Sequence, residues 1–127
     1  MKNLVMIITI LCIITLGSSC ELFSLTKGLD EVMALKIQDV ELSKIADGTY
    51  MGTYDYERWG NTLQVTVQDH MITEIKIVKD VKFAKSEVSD VIISRVLKAQ
   101  NLKVDTVSGS TVTSKAYLKS IELALQN

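Results

Sequence analysis

A chain of 127 residues with 14 basic and 15 acidic side chains has room for one domain and a formal charge of −1, so it lacks the basic surplus that a nucleic-acid-binding face requires. Its two cysteines, Cys12 and Cys20, both sit near the N-terminus, which excludes an internal disulfide or a thiolate metal site from everything that follows.

The chain opens on Lys2 and an apolar run over residues 4–16, followed by the small residues Gly17-Ser18-Ser19 and then Cys20. An early cation, a short hydrophobic stretch and small residues before a cysteine resemble a bacterial lipoprotein signal. The resemblance implies cleavage before Cys20, acylation of its thiol, and a mature protein lipid-anchored to the bacterial cell membrane on its extracytoplasmic face. The alternative is an uncleaved transmembrane anchor, for which the run is shorter than the ~20 residues that span a bilayer. Removing residues 1–19 takes away one lysine and no acid, moving the formal charge from −1 to −2. The expected organisation is a leader over 1–19, a spacer or packed element over 20–46, and one domain over 47–127.

Within 20–46, Leu29, Val32, Met33 and Lys36 recur at near-helical spacing and predict a short helix over 29–38, while Val40-Glu41-Leu42 reads as a brief strand. The aliphatic content exceeds that of a disordered tether, and a spacer and an element packed on the core both remain open. Residues 49–56 form the first strand, with Tyr50, Gly52, Tyr54 and Tyr56 on one face. Gly52 leaves a gap among the tyrosines that either admits a ligand region or is a packing gap. Arg58-Trp59-Gly60-Asn61 is a turn in which Trp59 either lies near a ligand ring or, as a lone loop tryptophan more often does, covers a hydrophobic edge. Leu63, Val65 and Val67 alternate through the second strand, 62–68.

Asp69-His70 makes a two-residue turn at positive φ, so the single histidine is expected to be a turn residue and not an acid–base catalyst. In the third strand, 71–79, Ile72 and Ile75 are three apart while Ile75 and Ile77 are two apart, which predicts a bulge near Thr73-Glu74. A helix follows with Ser86 as N-cap, a buried stripe of Val88, Val91, Ile92, Val96 and Ala99, and a stop at Asn101. Lys76, Lys79, Lys82 and Lys85 could screen a phosphate or meet an acidic partner, but as a charge run they read first as a solvated rim. Lys103-Val104 is a short extended piece, and a last helix buries Tyr117, Leu118, Ile121, Ala124 and Leu125. This order predicts an α+β domain: a small, largely antiparallel sheet with helices packed on one face, since residues 49–79 leave no room for a crossover helix.

Between the extended piece and the last helix lies Asp105-Thr106-Val107-Ser108-Gly109-Ser110-Thr111-Val112-Thr113-Ser114, in which six of ten residues carry hydroxyls. A glycine-containing turn that empties into a helix N-terminus leaves N–H groups unpaired at a positive dipole end, which suits an anion such as phosphate. The same residues also suit simple helix capping.

Asp105-x-x-Ser108-Gly109-Ser110-Thr111 resembles the Asp-x-x-(Ser/Thr)-Gly-Ala-Thr signature of the FMN-binding domain family, with Ser110 where the family usually has alanine. That family includes the flavin-carrying subunits of sodium-pumping NADH:quinone oxidoreductases and related electron-transport complexes. Upstream, Asp47-Gly48-Thr49-Tyr50-Met51-Gly52 is similar to the family's Asp-Gly-x-Tyr-x-Gly opening. The resemblance implies FMN as cofactor, with Asp105, Ser108, Gly109, Ser110, Thr111, Thr113 and Gly52 as cofactor-binding positions. It implies a phosphoester to Thr111 made by a separate flavin transferase, and a membrane redox partner. No His, Asp or Glu lies within five residues of Thr111 to activate its hydroxyl, which favours an electron-transfer flavoprotein over a stand-alone catalyst. The competing expectations are a cofactor-free binding or structural lipoprotein and a non-covalent FMN-binding domain.

Overall fold

The computed structural model describes Phe23 and residues 25–126; the leader over 1–19 and Cys20 lie outside the described residues. Strand β1 (Gly48–Tyr54), β2 (Asn61–Gln68) and β3 (Met71–Lys79) form an antiparallel sheet with β2 in the centre. Alternation along β2 decides which face is covered: Leu63, Val65 and Val67 are buried, whereas Thr62, Gln64 and Thr66 lie on the other face. The β2–β3 turn has Asp69 at φ 52 and His70 at φ 61, the pair of left-handed residues that a two-residue hairpin demands. His70 Nδ1 donates to the Leu42 carbonyl at 3.2 Å, a structural role. Thr66 pairs with Glu74 and Val67 with Ile72, so Thr73 is the extra residue of the expected bulge. That bulge returns both Ile72 and Ile75 to the buried face.

Helices α2 (Ser86–Ala99) and α3 (Thr111–Leu125) cover this face, completing a small α+β fold. Val88, Ile92 and Val96 recur every fourth residue and carry α2 into the core. Lys85, not Ser86, occupies the N-cap position of α2, and Gln100, not Asn101, ends it at φ 56. Gln100 is held there by an exchange with β3: its Oε1 accepts the Ile72 N–H at 2.7 Å and its Nε2 donates to the Ile72 carbonyl at 2.9 Å. Tyr117 donates to the Asp80 carboxylate from α3, and burial together with that bond holds its phenol well above the ordinary range.

Small residues let α3 sit unusually close to the sheet. A Cβ at Gly52 would overlap the Ser120 carbonyl oxygen and lie 2.5 Å from the Ala124 nitrogen. Beside this contact, Asn61 Nδ2 donates to the Trp59 carbonyl at 3.0 Å and the Ala116 carbonyl at 3.2 Å, and Ser120 Oγ donates to the Asn61 carbonyl at 3.2 Å. The gap at Gly52 is therefore a packing gap that admits helix backbone, and the structure does not use it as an opening toward a ligand.

The described part of the N-terminal segment packs on the domain. Its helix α1 (Leu29–Met33) is shorter than the spacing predicts. Lys115 Nζ donates to the Met33 carbonyl and, at 3.2 Å, to the Leu35 carbonyl, acceptors that a continuing helix would need for itself. Val32 of α1 is buried with Trp59, Val112 and Ala116 in a second apolar cluster. Val40-Glu41-Leu42 joins no strand; the chain makes a single tight turn at Leu42–Lys44. Residues 103–104 likewise lie outside the sheet. Side chains replace a ladder in this region, with Asp39 Oδ1 accepting the Leu102 N–H at 3.0 Å. Among the described residues no helix is long and apolar enough to cross a membrane.

The contact at Gly52 yields a stability test. Gly52→Ala must push α3 off the sheet, and overpacking of this kind costs on the order of 1–3 kcal/mol. Urea denaturation should show a lowered midpoint with the slope retained.

Candidate functional site

The hydroxyl loop is shaped by a serine inside α3. Ser114 is fully buried; its Oγ accepts the Val107 N–H at 3.1 Å and donates to the Ser110 carbonyl at 2.7 Å. The Ser110 N–H closes a turn on the Val107 carbonyl at 2.9 Å, with Gly109 in its third position at φ 77. A type II turn requires that conformation, and glycine adopts it without strain. A Cβ on Gly109 would meet nothing within 4 Å, so conformation and not space calls for glycine here. Upstream, Arg95 Nη1 donates to the Asp105 carbonyl at 2.7 Å and fixes the entry to the loop.

Ser114 does this work alone among the clustered hydroxyls. Ser110 occupies the N-cap position of α3 without a side-chain capping bond. Among the described residues, the hydroxyls of Ser108, Thr111 and Thr113 also have no partner. The loop is thus held rigid while the hydroxyls around Thr111 stay available, which simple capping does not account for.

Gly109, Ser110, Thr111 and Thr113 line a cleft of about 650 Å³, a size typical of cofactor pockets. Arg58, Trp59, Phe83, Lys85 and Val88 complete its domain side, and Leu25, Leu29 and Met33 contribute from the N-terminal segment. Two helices begin at this cleft, α2 at Lys85 and α3 at Ser110, and each presents unpaired N–H groups and a positive dipole end. The guanidinium of Arg58 stands 4.4 Å from the Trp59 ring centroid and 5.6 Å from that of Phe83. Neither Arg58 nor Lys85 forms an ion pair among the described residues, and no carboxylate lines the cleft. The charged side chains described in its lining are therefore both cations.

Of the positions singled out in the sequence, Thr111, Ser110, Gly109 and Thr113 come together here. Asp105 and Ser108 are exposed and outside the lining, Asp105 contributing through its backbone carbonyl. Gly52 lies beneath the far half of α3, and the nine residues from Thr111 to Ser120 put it about 13 Å along the helix. Trp59 is buried in the second apolar cluster, and it also belongs to the cleft lining. Sequence reasoning did not single out Arg58, Phe83 or Ser114 for the site. Lys85 was visible as one of four spaced lysines that could screen a phosphate, but nothing in that spacing separates it from a solvated rim.

The family model for the FMN-binding domain matches residues 59–126, over half of the chain, and the chain belongs to this family. No curated protein matches it. The match takes in the hydroxyl loop and both long helices, while the Asp47–Gly52 opening and α1 fall before it. FMN is accordingly the cofactor, and the residues fit it. Its phosphate suits the cationic end at Thr111, and its flat ring suits the apolar lining.

Gly109→Val tests the loop. The added side chain meets open space, so its cost is the left-handed backbone, about 1–2 kcal/mol. FMN content of the purified protein should fall by a larger factor than the melting temperature suggests, because the turn that presents Ser110 and Thr111 is displaced.

Proposed function

We propose that this protein is a membrane-tethered flavoprotein that relays electrons outside the cytoplasm, with FMN esterified through its phosphate to Thr111. The observation that carries the proposal is the setting of the Thr111 hydroxyl. Among the described residues it is unpartnered, and it belongs to the first residue of a 15-residue helix. Thr111 lines a cleft whose described lining holds two cations outside any ion pair and no acid. Arg58, Lys85 and the first N–H groups of α3 would hold the phosphate, with Ser110 and Thr113 beside it. When bound, the isoalloxazine supplies the redox chemistry, and the protein supplies binding, orientation and tuning.

In the attachment step the Thr111 oxygen forms a bond to phosphorus of an activated flavin phosphate, the leaving group departs from phosphorus, and the hydroxyl proton passes to a base. Among the described residues no histidine or carboxylate lines the cleft to serve as that base. A separate flavin transferase would provide both the base and the activated flavin. Covalent attachment suits an exported domain, because a cofactor held by contacts alone can be lost to the surroundings.

Protein produced with a flavin transferase should be yellow, and its flavin should stay with the polypeptide through denaturation. A peptide spanning Val104–Lys115 should carry the mass of FMN less water, with fragment ions placing it on Thr111 and not on Ser108, Ser110 or Thr113. Thr111→Ala should remove the adduct at a stability cost of ~1 kcal/mol or less, since the hydroxyl holds nothing else in place. A flavin released on denaturation would leave FMN binding and remove the ester.

Tethering rests on Cys20. Multiple acyl chains give stable anchoring at ~0.8 kcal/mol per buried CH₂, where one chain does not. Cys20→Ala should leave either unprocessed precursor or unlipidated protein in a fractionation with labelled fatty acid. A labelled variant of mature size would rule the anchor out.

A further inference from the structure

The cleft has a wall that the family match does not contain. Leu25, Leu29 and Met33 line it from the segment before the domain, whereas the match begins at Trp59. From the facing loop Phe83 contributes a fourth apolar side chain to the same lining. Three of the four are large side chains left in water: Leu25 is 41 % exposed, Met33 47 % and Phe83 51 %. Apolar groups gathered around one cleft and left exposed mark a surface that something apolar covers.

The segment is held firmly enough to form a wall. Val32 of α1 is fully buried in a cluster with Trp59, Val112 and Ala116. Lys115 clamps the end of α1 through the Met33 and Leu35 carbonyls, and it belongs to the same helix as Thr111. At the other end Gly28 turns at φ 81 against Tyr56, where a Cβ would come within 2.5 Å of the ring. Lys27 pairs with Glu57 at 3.4 Å nearby. The wall and the candidate attachment residue are thus mounted on one framework, and their spacing is set by α3.

We infer that Leu25 and Met33, with Phe83, form the ring-binding wall of the flavin site, so that the segment before the domain completes the pocket that Thr111 begins. This rests on the proposed phosphate position at Thr111. A chain tied at its phosphate alone would leave the ring in solvent. The apolar lip gives the isoalloxazine a surface to cover and removes it from water. The polar groups lining the cleft belong to the loop, Arg58, Trp59 and Lys85, whereas Leu25, Leu29 and Met33 add none, which leaves their side suited to the ring and not to the phosphate.

The test uses the flavin-loaded protein and the double substitution Leu25→Ser, Met33→Ser. Neither residue belongs to the buried core, so the fold should survive, and far-UV circular dichroism checks that it does. Flavin stoichiometry and the Thr111 adduct are read by mass after denaturation. Ring exposure is read in the native state by iodide quenching of flavin fluorescence and by visible circular dichroism. The expected result is an unchanged adduct with quenching raised toward that of free FMN and a weakened visible dichroism band. Equal quenching and dichroism in the two proteins would overturn the wall. If no adduct forms in either protein, FMN is titrated directly: the wall then predicts affinity weakened about tenfold by the double substitution. Equal affinities would overturn it. Loss of the adduct in both proteins with a difference in affinity would remove the Thr111 ester and keep the wall.

Discussion

The close approach of α3 to the sheet at Gly52 is the constraint on which the site depends. With no Cβ at 52 and only a serine and an alanine opposite, helix backbone rests directly on β1. Asn61 locks the adjoining turn by donating to the Ala116 carbonyl. The neighbours of Ser120 and Ala124 on α3 include Tyr117 and Ile121, so a helix slipped along or rolled about its axis would bring a large side chain over the glycine. The start of α3 is thereby fixed, and with it the positions of Ser110, Thr111 and Thr113. Lys115 extends the same constraint to the N-terminal segment through the carbonyls at the end of α1.

At the start of α3 two requirements meet that tend to oppose each other: a loop must be rigid to present a ligand group, yet its polar atoms must be free to bind. Here the division is made by depth. Ser114, buried one turn into the helix, supplies the internal bonds, and Gly109 supplies the turn. Ser110, Thr111 and Thr113 line a cleft where helix dipoles and two cations act in the same direction. In a site partly shielded from water such charges act more strongly than on an open surface. The positive field suits the phosphate of FMN and also lowers the cost of bringing a dianionic group beside the chain.

Much of the fold was legible from local pattern. The alternation of Leu63, Val65 and Val67, the three-residue step from Ile72 to Ile75, and the left-handed tolerance of Asp69-His70 each have one simple structural reading, and the sheet follows them. Errors cluster where a distant side chain took over a backbone group. Lys115 shortened α1, Gln100 moved the end of α2, and Asp39 and Arg95 hold the backbone of the extended piece around residue 103. All but the Arg95 bond join residues too far apart for a window of local pattern to contain.

The candidate site divides along the same line. By itself the sequence determined the hydroxyl loop, its glycine and the helix behind it, because turn chemistry and helix starts are written in neighbouring residues; the resemblance carried by that loop named the family. Only the tertiary structure decided what surrounds it. It brought Arg58 and Lys85 to the loop and set Leu25, Leu29 and Met33 along the cleft. It also gave Gly52 to helix packing and not to the cofactor. The reason is physical: a turn is specified by the conformational preferences of four residues, whereas a pocket wall exists only after helices separated by tens of residues have settled on one sheet.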